Sequence, residues 1–159
     1  MEEVIQELHR FLRNAMLSTY AGDGKETTSQ RPGFIELAYA EGRFSYRDSF
    51  CGFYTSTGQE VVWLEGKPFW TQLYGGGMTL PHRDDEAFAL RTFNFLKRAL
   101  SQKPEAFQPR GPRQMTDGEW EYRCDWKGDI TEFKGSERIL FQGEAVFTHE
   151  FFGGLIRSR

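Results

Sequence analysis

The 159-residue chain carries a formal net charge of -3 at pH 7, and 27% of its residues are charged. Residues 1–159 are enough for one domain with a proper core and too few for two, so a single domain is predicted. The balanced, slightly acidic composition excludes a disordered chain and argues against a dedicated duplex-DNA binder. Aromatic residues reach 16% and there are 17 Gly, which favours many short strands joined by glycine turns.

The first predicted element is a helix over residues 2–18. Apolar residues recur there at the helical period from Val4 to Met16, with charged residues on the other side. This amphipathic start predicts no signal peptide, and no apolar run is long enough to cross a membrane. We therefore expect a cytoplasmic protein with reduced thiols.

A four-strand antiparallel meander is predicted next, within residues 34–77. Apolar–polar alternation interrupted by glycine turns gives strands at 35–40, 44–50, 59–65 and 69–74. The triple glycine at 75–77 is predicted to end the last of them. In the second strand, the two-residue period places Asp48 on the same face as Tyr46 and Phe50.

The second half predicts another helix, followed by three to four further strands. Asp84 or Asp85 caps a helix that runs to about Ser101. Residues 102–118, rich in Pro and Arg, predict a linker. The strands that follow are predicted at 119–127, 130–133, 138–142 and 145–152, with a turn at Gly135.

Helices separated from antiparallel strands define an α+β fold, with one curved sheet packed on the two helices. No internal repeat is evident, although the strand–Gly–strand rhythm recurs in both halves.

Several motifs together resemble an uncharacterised bacterial family, a domain of unknown function. They include LAYAEGRFSYRDSF at 37–50, GQEVVWLEGKPFW at 58–70, YRCDWKGD at 122–129 and GGLI at 153–156. Members of that family occur as stand-alone proteins and behind helix-turn-helix (XRE-type) domains of transcriptional regulators, and this chain resembles the stand-alone form. The resemblance implies a sensing role by analogy, and no established activity.

Asp48 is the strongest single candidate for a functional residue. A carboxylate on an aromatic face must be paired, be protonated or face a cavity. Glu60 belongs to the next strand, and whether it shares the face of Asp48 is left open. If it does, the two form a carboxylate pair of the kind used in acid–base catalysis.

Polar groups among aromatic residues also suggest a small-molecule pocket. The residues predicted to line it are Arg31, Tyr39, Tyr46, Asp48, Trp63, Trp70, Gln72 and Trp120. A plain aromatic core is the simpler interpretation of most of these residues. The same holds for His149, interpreted as a hydrogen-bonded core residue, and for Arg110, interpreted as part of a solvated loop. No cofactor motif is present, and the spacing of His and Cys predicts no metal site.

Three functions remain open. The first is a binding module that encloses a small, partly apolar ligand. The second is an enzyme with Asp48 or Glu60 as general acid or base. The third is a protein-interaction module without a pocket. We expect no direct contact with nucleic acid and none with a membrane, and a homodimer is left open.

Overall fold

A computed structural model of the protein describes residues 2–102 and 106–157. These segments contain two α-helices, nine strands and two short 3-10 helices, Tyr20–Gly22 and Leu80–His82. The α-helices and strands are α1 (Glu2–Ser18), β1 (Glu26–Thr27), β2 (Ile35–Glu41), β3 (Phe44–Gly52), β4 (Thr55–Leu64), β5 (Lys67–Met78), α2 (Glu86–Leu100), β6 (Gln114–Asp117), β7 (Trp120–Asp129), β8 (Glu132–Phe141) and β9 (Glu144–Leu155).

All nine strands form one antiparallel sheet in the order β1-β2-β3-β4-β5-β9-β8-β7-β6. Each half of the chain is thus a meander, and the last strands of the two meanders, β5 and β9, pair in the middle. The predicted α+β class is confirmed, and so are the two helices.

Both helices contribute their apolar stripes to the core on one face of the sheet, which we call the inner face. In α1 the stripe includes Leu8, Phe11 and Ala15, and in α2 it includes Phe95 and Leu96. The predicted cap of α2 is confirmed, because the Asp85 carboxylate accepts the Phe88 backbone N–H at 2.9 Å. Among the described residues, no helix is long and apolar enough to span a membrane.

The two halves of the chain share one sequence pattern and one order of elements, although no internal repeat was evident from the sequence. Residues 58–78, GQEVVWLEGKPFWTQLYGGGM, align without a gap on residues 135–155, GSERILFQGEAVFTHEFFGGL. The motif YRDSFCG at 46–52 likewise matches YRCDWKG at 122–128, and FLRNAM in α1 matches FLKRAL in α2.

Irregular backbone features recur at corresponding positions of the two halves. The β4–β5 pairing shifts register between Val62 and Trp63, and the β8–β9 pairing shifts at the equivalent positions, Ile139 and Leu140. Both hairpins turn through a positive-φ pair, Glu65-Gly66 in one and Gln142-Gly143 in the other. The order α1-β2-β3-β4-β5 thus recurs as α2-β6-β7-β8-β9. Most side chains differ between the two halves, whereas the order of the elements is the same.

The strand predictions erred in number and in length. Two strands were not predicted, β1 and β6, and β6 lies in the segment interpreted as a linker; residues 103–105 of that linker lie outside the described residues. Gly135 does not make a turn, since the predicted strands at 130–133 and 138–142 belong to one strand, β8. The glycines at 75–77 do not end β5, which continues to Met78.

Those glycines stay within the strand because the sheet is crowded there. A Cβ atom on Gly76 would lie 2.1 Å from the Thr148 carbonyl oxygen of β9, and its φ of +144° suits glycine. Glycine in this part of β5 therefore marks a close approach of two backbones rather than a chain break.

Candidate functional site

Three polar side chains form one row across the inner face of the first half. In the register of the sheet, Asp48 of β3 faces Glu60 of β4, and Glu60 faces Gln72 of β5. Asp48 and Glu60 are 3% and 2% exposed, and Gln72 is fully buried. The question left open by the sequence is answered: the two carboxyl groups share a face, where directly opposed side chains lie about 5 Å apart.

Tyr74 reaches the end of this row from the same face of β5. Its hydroxyl donates a hydrogen bond of 2.8 Å to Asp48 Oδ1. The ring crosses β4 above Gly58, where a Cβ atom would lie 2.3 Å from ring carbon Cζ. Gly58 is therefore needed for Tyr74 to contact Asp48.

The second half carries the equivalent row, with different residues. Glu137 of β8 faces His149 of β9, and His149 faces Gly76 of β5. The repeat relates Glu137 to Glu60 and His149 to Gln72. His149 Nδ1 lies 3.2 Å from Glu137 Oε1, and Tyr122 donates to Glu137 Oε2 at 2.6 Å.

Arg110 joins the two rows. It precedes β6 in a loop, yet it is only 4% exposed. Its Nε donates to Glu137 Oε1 at 2.9 Å, and its Nη1 lies 3.5 Å from Glu60 Oε1. The guanidinium also lies 4.8 Å from the centre of the Tyr74 ring. A buried cation held by two carboxylates from related strands ties the two repeats together.

A cavity of about 170 Å³ lies beside this network, between the sheet and the helices. Asp48, Glu60, Tyr74, Arg110 and His149 provide polar groups on its wall. Six further aromatic rings line it, those of Tyr20, Tyr46, Phe50, Phe53, Phe93 and Phe147. The side chain of Phe53 is 42% exposed, so the cavity opens to solvent beside Phe53.

Burial changes the acidity of the carboxyl group that faces this space. Desolvation raises the pKa of Asp48 to about 6, although the hydrogen bond from Tyr74 and the charge of Arg110 act in the opposite direction. Asp48 therefore exchanges its proton close to neutral pH. This is the behaviour expected of a group that meets a ligand or transfers a proton.

Glu137 responds in the opposite way, although it is just as buried. Desolvation favours its neutral form, but Arg110, His149 and Tyr122 together outweigh that effect and lower the pKa of Glu137 to about 2. Burial also lowers the pKa of His149, even though Glu137 favours its charged form. Near neutral pH, Glu137 is thus an anion beside a neutral imidazole.

Ser56, His149 and Glu137 form a chain of successive side-chain contacts. The ionised Glu137 accepts from Nδ1 of His149, which leaves Nε2 as the acceptor, and Ser56 Oγ lies 3.4 Å from Nε2. The order of hydroxyl, imidazole and carboxylate matches that of nucleophilic hydrolases, with a long first contact.

The structure brings together some of the residues predicted for the site. Asp48, Glu60 and Tyr46 line the cavity. Gln72 lies in the same row but outside the cavity lining, and neither atom of its amide has a hydrogen-bond partner among the described residues. Trp70 is buried nearby, where its indole N–H donates to the Ile130 carbonyl at 3.0 Å.

The other four predicted residues lie elsewhere. Arg31 stacks over Phe34 at 4.0 Å. Tyr39 packs on Phe11 of α1. Trp63 lies on the opposite face of β4. Trp120 belongs to a separate aromatic cluster with residues of α2.

Sequence reasoning missed the residues that complete the network. Glu137 was not considered, because a turn was predicted at Gly135; in one continuous strand it alternates in phase with Phe133 and Ile139. Arg110 was interpreted as solvated and is buried, whereas His149 was correctly interpreted as hydrogen-bonded. The internal repeat was the signal that could have found Glu137, since it aligns Glu137 with Glu60.

Within the described residues, no group of three or more His, Cys, Asp or Glu side chains is arranged to hold a metal ion. Comparison with known proteins gives one match. A family model described as a domain of unknown function, DUF5680, matches residues 48–156, from β3 to the end of β9. No curated protein matches, and no solved structure matches.

Proposed function

The chain belongs to the DUF5680 family of domains of unknown function, and we propose that it binds a small organic molecule in the cavity beside Asp48. One observation carries the proposal: a buried carboxyl group of raised pKa faces an aromatic-lined space of about 170 Å³. For comparison, an engineered cavity of about 150 Å³ accommodates benzene. The ligand, or the part of it that enters, has about the size of one aromatic ring.

Stability alone does not account for Asp48. A buried acid whose pKa is raised destabilises the folded state at neutral pH, and an apolar residue or Asn would avoid that cost. Costly ionisable groups of this kind concentrate at functional sites. A cavity next to Asp48 also supports a binding module more than an interaction module without a pocket.

The proposal extends to the setting of the domain. Because its motifs resemble domains that follow helix-turn-helix regions in bacterial regulators, we propose a sensor-like role in the cytoplasm. A small molecule is then the expected partner, rather than nucleic acid or a membrane. Whether the protein acts as a homodimer depends on surfaces outside this site.

A fragment screen by protein-detected NMR tests the binding proposal. Fragments of about eight heavy atoms are expected to bind with dissociation constants of roughly 0.1–1 mM and to shift resonances of cavity residues. Ser56→Phe places a ring inside the cavity and should abolish these shifts. Thr57→Phe is the matched control, because Thr57 is exposed on the opposite face of the same strand.

Two results would overturn the proposal. One is a screen in which no fragment shifts the cavity resonances of the wild-type protein. The other is binding that persists equally in Ser56→Phe, which would locate it outside the cavity. Folding of both variants is checked by their amide spectra.

Hydrolysis is the second candidate function, and the alignment of Ser56, His149 and Glu137 favours it. In such a reaction Ser56 Oγ attacks the acyl carbon of an ester while His149 Nε2 takes its proton, and the ester C–O bond breaks as the alcohol leaves with a proton from His149. Water, deprotonated by the same imidazole, then hydrolyses the acyl–Ser56 ester and restores the free hydroxyl. Turnover of small p-nitrophenyl esters that Ser56→Ala abolishes, and Thr57→Ala does not, would support this candidate. Asp48 or Glu60 as general base is tested in the same assay: Asp48→Asn abolishes turnover in an enzyme but only weakens binding in a sensor.

A further inference from the structure

One oxygen atom of the Asp48 carboxyl group is left for a ligand. Asp48 is 3% exposed and lines the cavity. Its Oδ1 accepts from the Tyr74 hydroxyl at 2.8 Å, and among the described residues no group donates to Oδ2. Buried polar atoms normally have a hydrogen-bond partner, and an ionised carboxylate can only accept. Oδ2 is therefore available to accept a hydrogen bond from a molecule in the cavity.

His149 adds a second acceptor to the same wall. Its Nδ1 lies 3.2 Å from the ionised Glu137, so Nδ1 carries the proton and Nε2 is the acceptor. Ser56 Oγ lies 3.4 Å from Nε2, a long contact, and both His149 and Ser56 line the cavity. Near neutral pH, the carboxylate and the imidazole thus both match a donor.

The charged donor on the wall already meets carboxylates of the protein. Arg110 donates through Nε to Glu137 at 2.9 Å, and its Nη2 lies at the same distance from that carboxylate. Its Nη1 lies 3.5 Å from Glu60. Tyr74 likewise gives its hydroxyl proton to Asp48. These strong donors are engaged within the network, so a ligand that brings a donor suits the wall better than one that needs a donor.

A hydroxyl group fits this pattern, because it donates one hydrogen bond and also accepts. It can donate to Asp48 while it accepts from the hydroxyl group of Tyr20 or Ser56, which line the same cavity. An ether of the same size only accepts, and it would leave Asp48 Oδ2 buried without a donor, which costs binding free energy. A carboxylate ligand would meet Asp48 as a like charge.

We propose that the ligand of this cavity is a neutral, hydroxyl-bearing molecule of about the size of one ring, whose O–H group donates to Oδ2 of Asp48. This rests on the proposed binding function and specifies its ligand class. The ring packs among the aromatic side chains of the wall. The hydroxyl group completes the hydrogen bonding of the buried carboxyl group.

Two isomers of one molecular formula, benzyl alcohol and anisole, test the ligand class. Benzyl alcohol donates a hydrogen bond, whereas anisole only accepts. Dissociation constants are measured by NMR titration at about pH 7.5, where Asp48 is ionised. We expect benzyl alcohol to bind at least roughly tenfold more tightly, as for a hydrogen bond to a charged group, although anisole is the more apolar isomer. Ser56→Phe, which fills the cavity, should abolish binding of both.

Asp48→Asn should reverse this preference. Asn keeps an oxygen that accepts from Tyr74, and its N–H₂ group then takes the place of Oδ2 and donates into the cavity. We expect anisole to bind this variant at least as tightly as benzyl alcohol. A merely structural role of Asp48 would not change the ratio of the two affinities. Asp125→Asn is the matched control, since Asp125 is exposed on β7 and does not line the cavity, and it should keep the ratio of the wild type.

The preference for benzyl alcohol should also fall below about pH 6, where Asp48 takes up a proton and Oδ2 becomes a donor. The titratable groups that face Asp48 or share its cavity are those of Tyr20, Tyr46, Glu60, Tyr74, Arg110 and His149. His149 Nε2 also changes from acceptor to donor when the imidazole is protonated. In Asp48→Asn the pH dependence should disappear, and a dependence that persists would assign it to another of these groups and contradict the role of Asp48.

The outcomes separate the two proposals. If anisole binds the wild-type protein as tightly as benzyl alcohol, or if Asp48→Asn leaves the ratio unchanged, the ligand class is wrong and the binding function stands. If neither isomer shifts a cavity resonance, while other fragments do, the ligand class again fails alone. If no compound binds, both proposals fail.

Discussion

Replacing Asp48 with Asn is expected to stabilise the folded protein at neutral pH. The pKa of Asp48 is raised from 3.8 to about 6, and each unit corresponds to about 1.36 kcal/mol, so its ionisation destabilises the native state by about 3 kcal/mol. Asn carries no charge and keeps the acceptor for Tyr74. Burying its amide N–H₂ costs about 1 kcal/mol, which leaves a net gain of about 2 kcal/mol.

The stabilisation expected from Asp48→Asn depends on pH, because it comes from removing an ionisable group. The folded protein holds the Asp48 proton more tightly than the unfolded chain, so the stability of the wild type falls as pH rises from about 4 to about 6. The gain from Asp48→Asn should therefore be full at about pH 7.5 and shrink by about 2 kcal/mol near pH 4. At neutral pH the melting temperature should rise by about 4–8 °C.

Urea unfolding followed by tryptophan fluorescence measures both values, with Asp125→Asn as the control for the same change on the surface. If Asp48→Asn destabilises the protein at pH 7.5, Asp48 is a paired structural acid rather than a strained one. A gain that is the same at both pH values would show that the charge is not its cause.

Three further predictions concern the network and its surroundings. Arg110→Met should destabilise the protein by about 3–5 kcal/mol in urea unfolding, because it leaves Glu137 ionised and buried without its cation; a loss below about 1 kcal/mol would mean that the pair is solvated. Gly58→Ala should cost about 1–3 kcal/mol, since the new methyl group meets the Tyr74 ring at 2.3 Å, and an unchanged melting temperature would contradict that contact. Cys124, buried and with a pKa raised to about 12 by desolvation, should resist iodoacetamide at about pH 8 in the folded protein, as measured by intact mass; rapid labelling would show that β7 opens readily.

Local patterns in the sequence were enough to predict the helices and the inner face of the first meander. Helical periodicity gave the bounds of α1, and two-residue alternation placed Asp48 inward. Strand length was harder to predict, because glycine was taken to mark turns. In this sheet Gly58, Gly76 and Gly135 instead make room for a ring or a neighbouring backbone, which only the paired strands reveal.

The site was only partly predictable because its partners come from distant parts of the chain. Asp48 and Tyr74 are 26 residues apart, and Arg110 contacts Glu137 from 27 residues away. Burial of an arginine in a Pro- and Gly-rich loop depends on the carboxylates that it meets there, and no local pattern encodes them. Trp63 was predicted to line the pocket, but it pairs with Ser45, and two-residue alternation from Glu60 and Val62 places it on the opposite face of β4.

The most direct test of the account is an NMR titration of the Asp48 carboxyl carbon, in the free protein and with a saturating fragment bound in the cavity. We expect the pKa of Asp48 to be about 6 in the free protein, because burial disfavours the charged form. The pKa should shift when a fragment occupies the cavity and changes the surroundings of the carboxyl group. A pKa near 3.8 in the free protein, or a pKa that a bound fragment leaves unchanged, would contradict a cavity in which Asp48 meets a ligand.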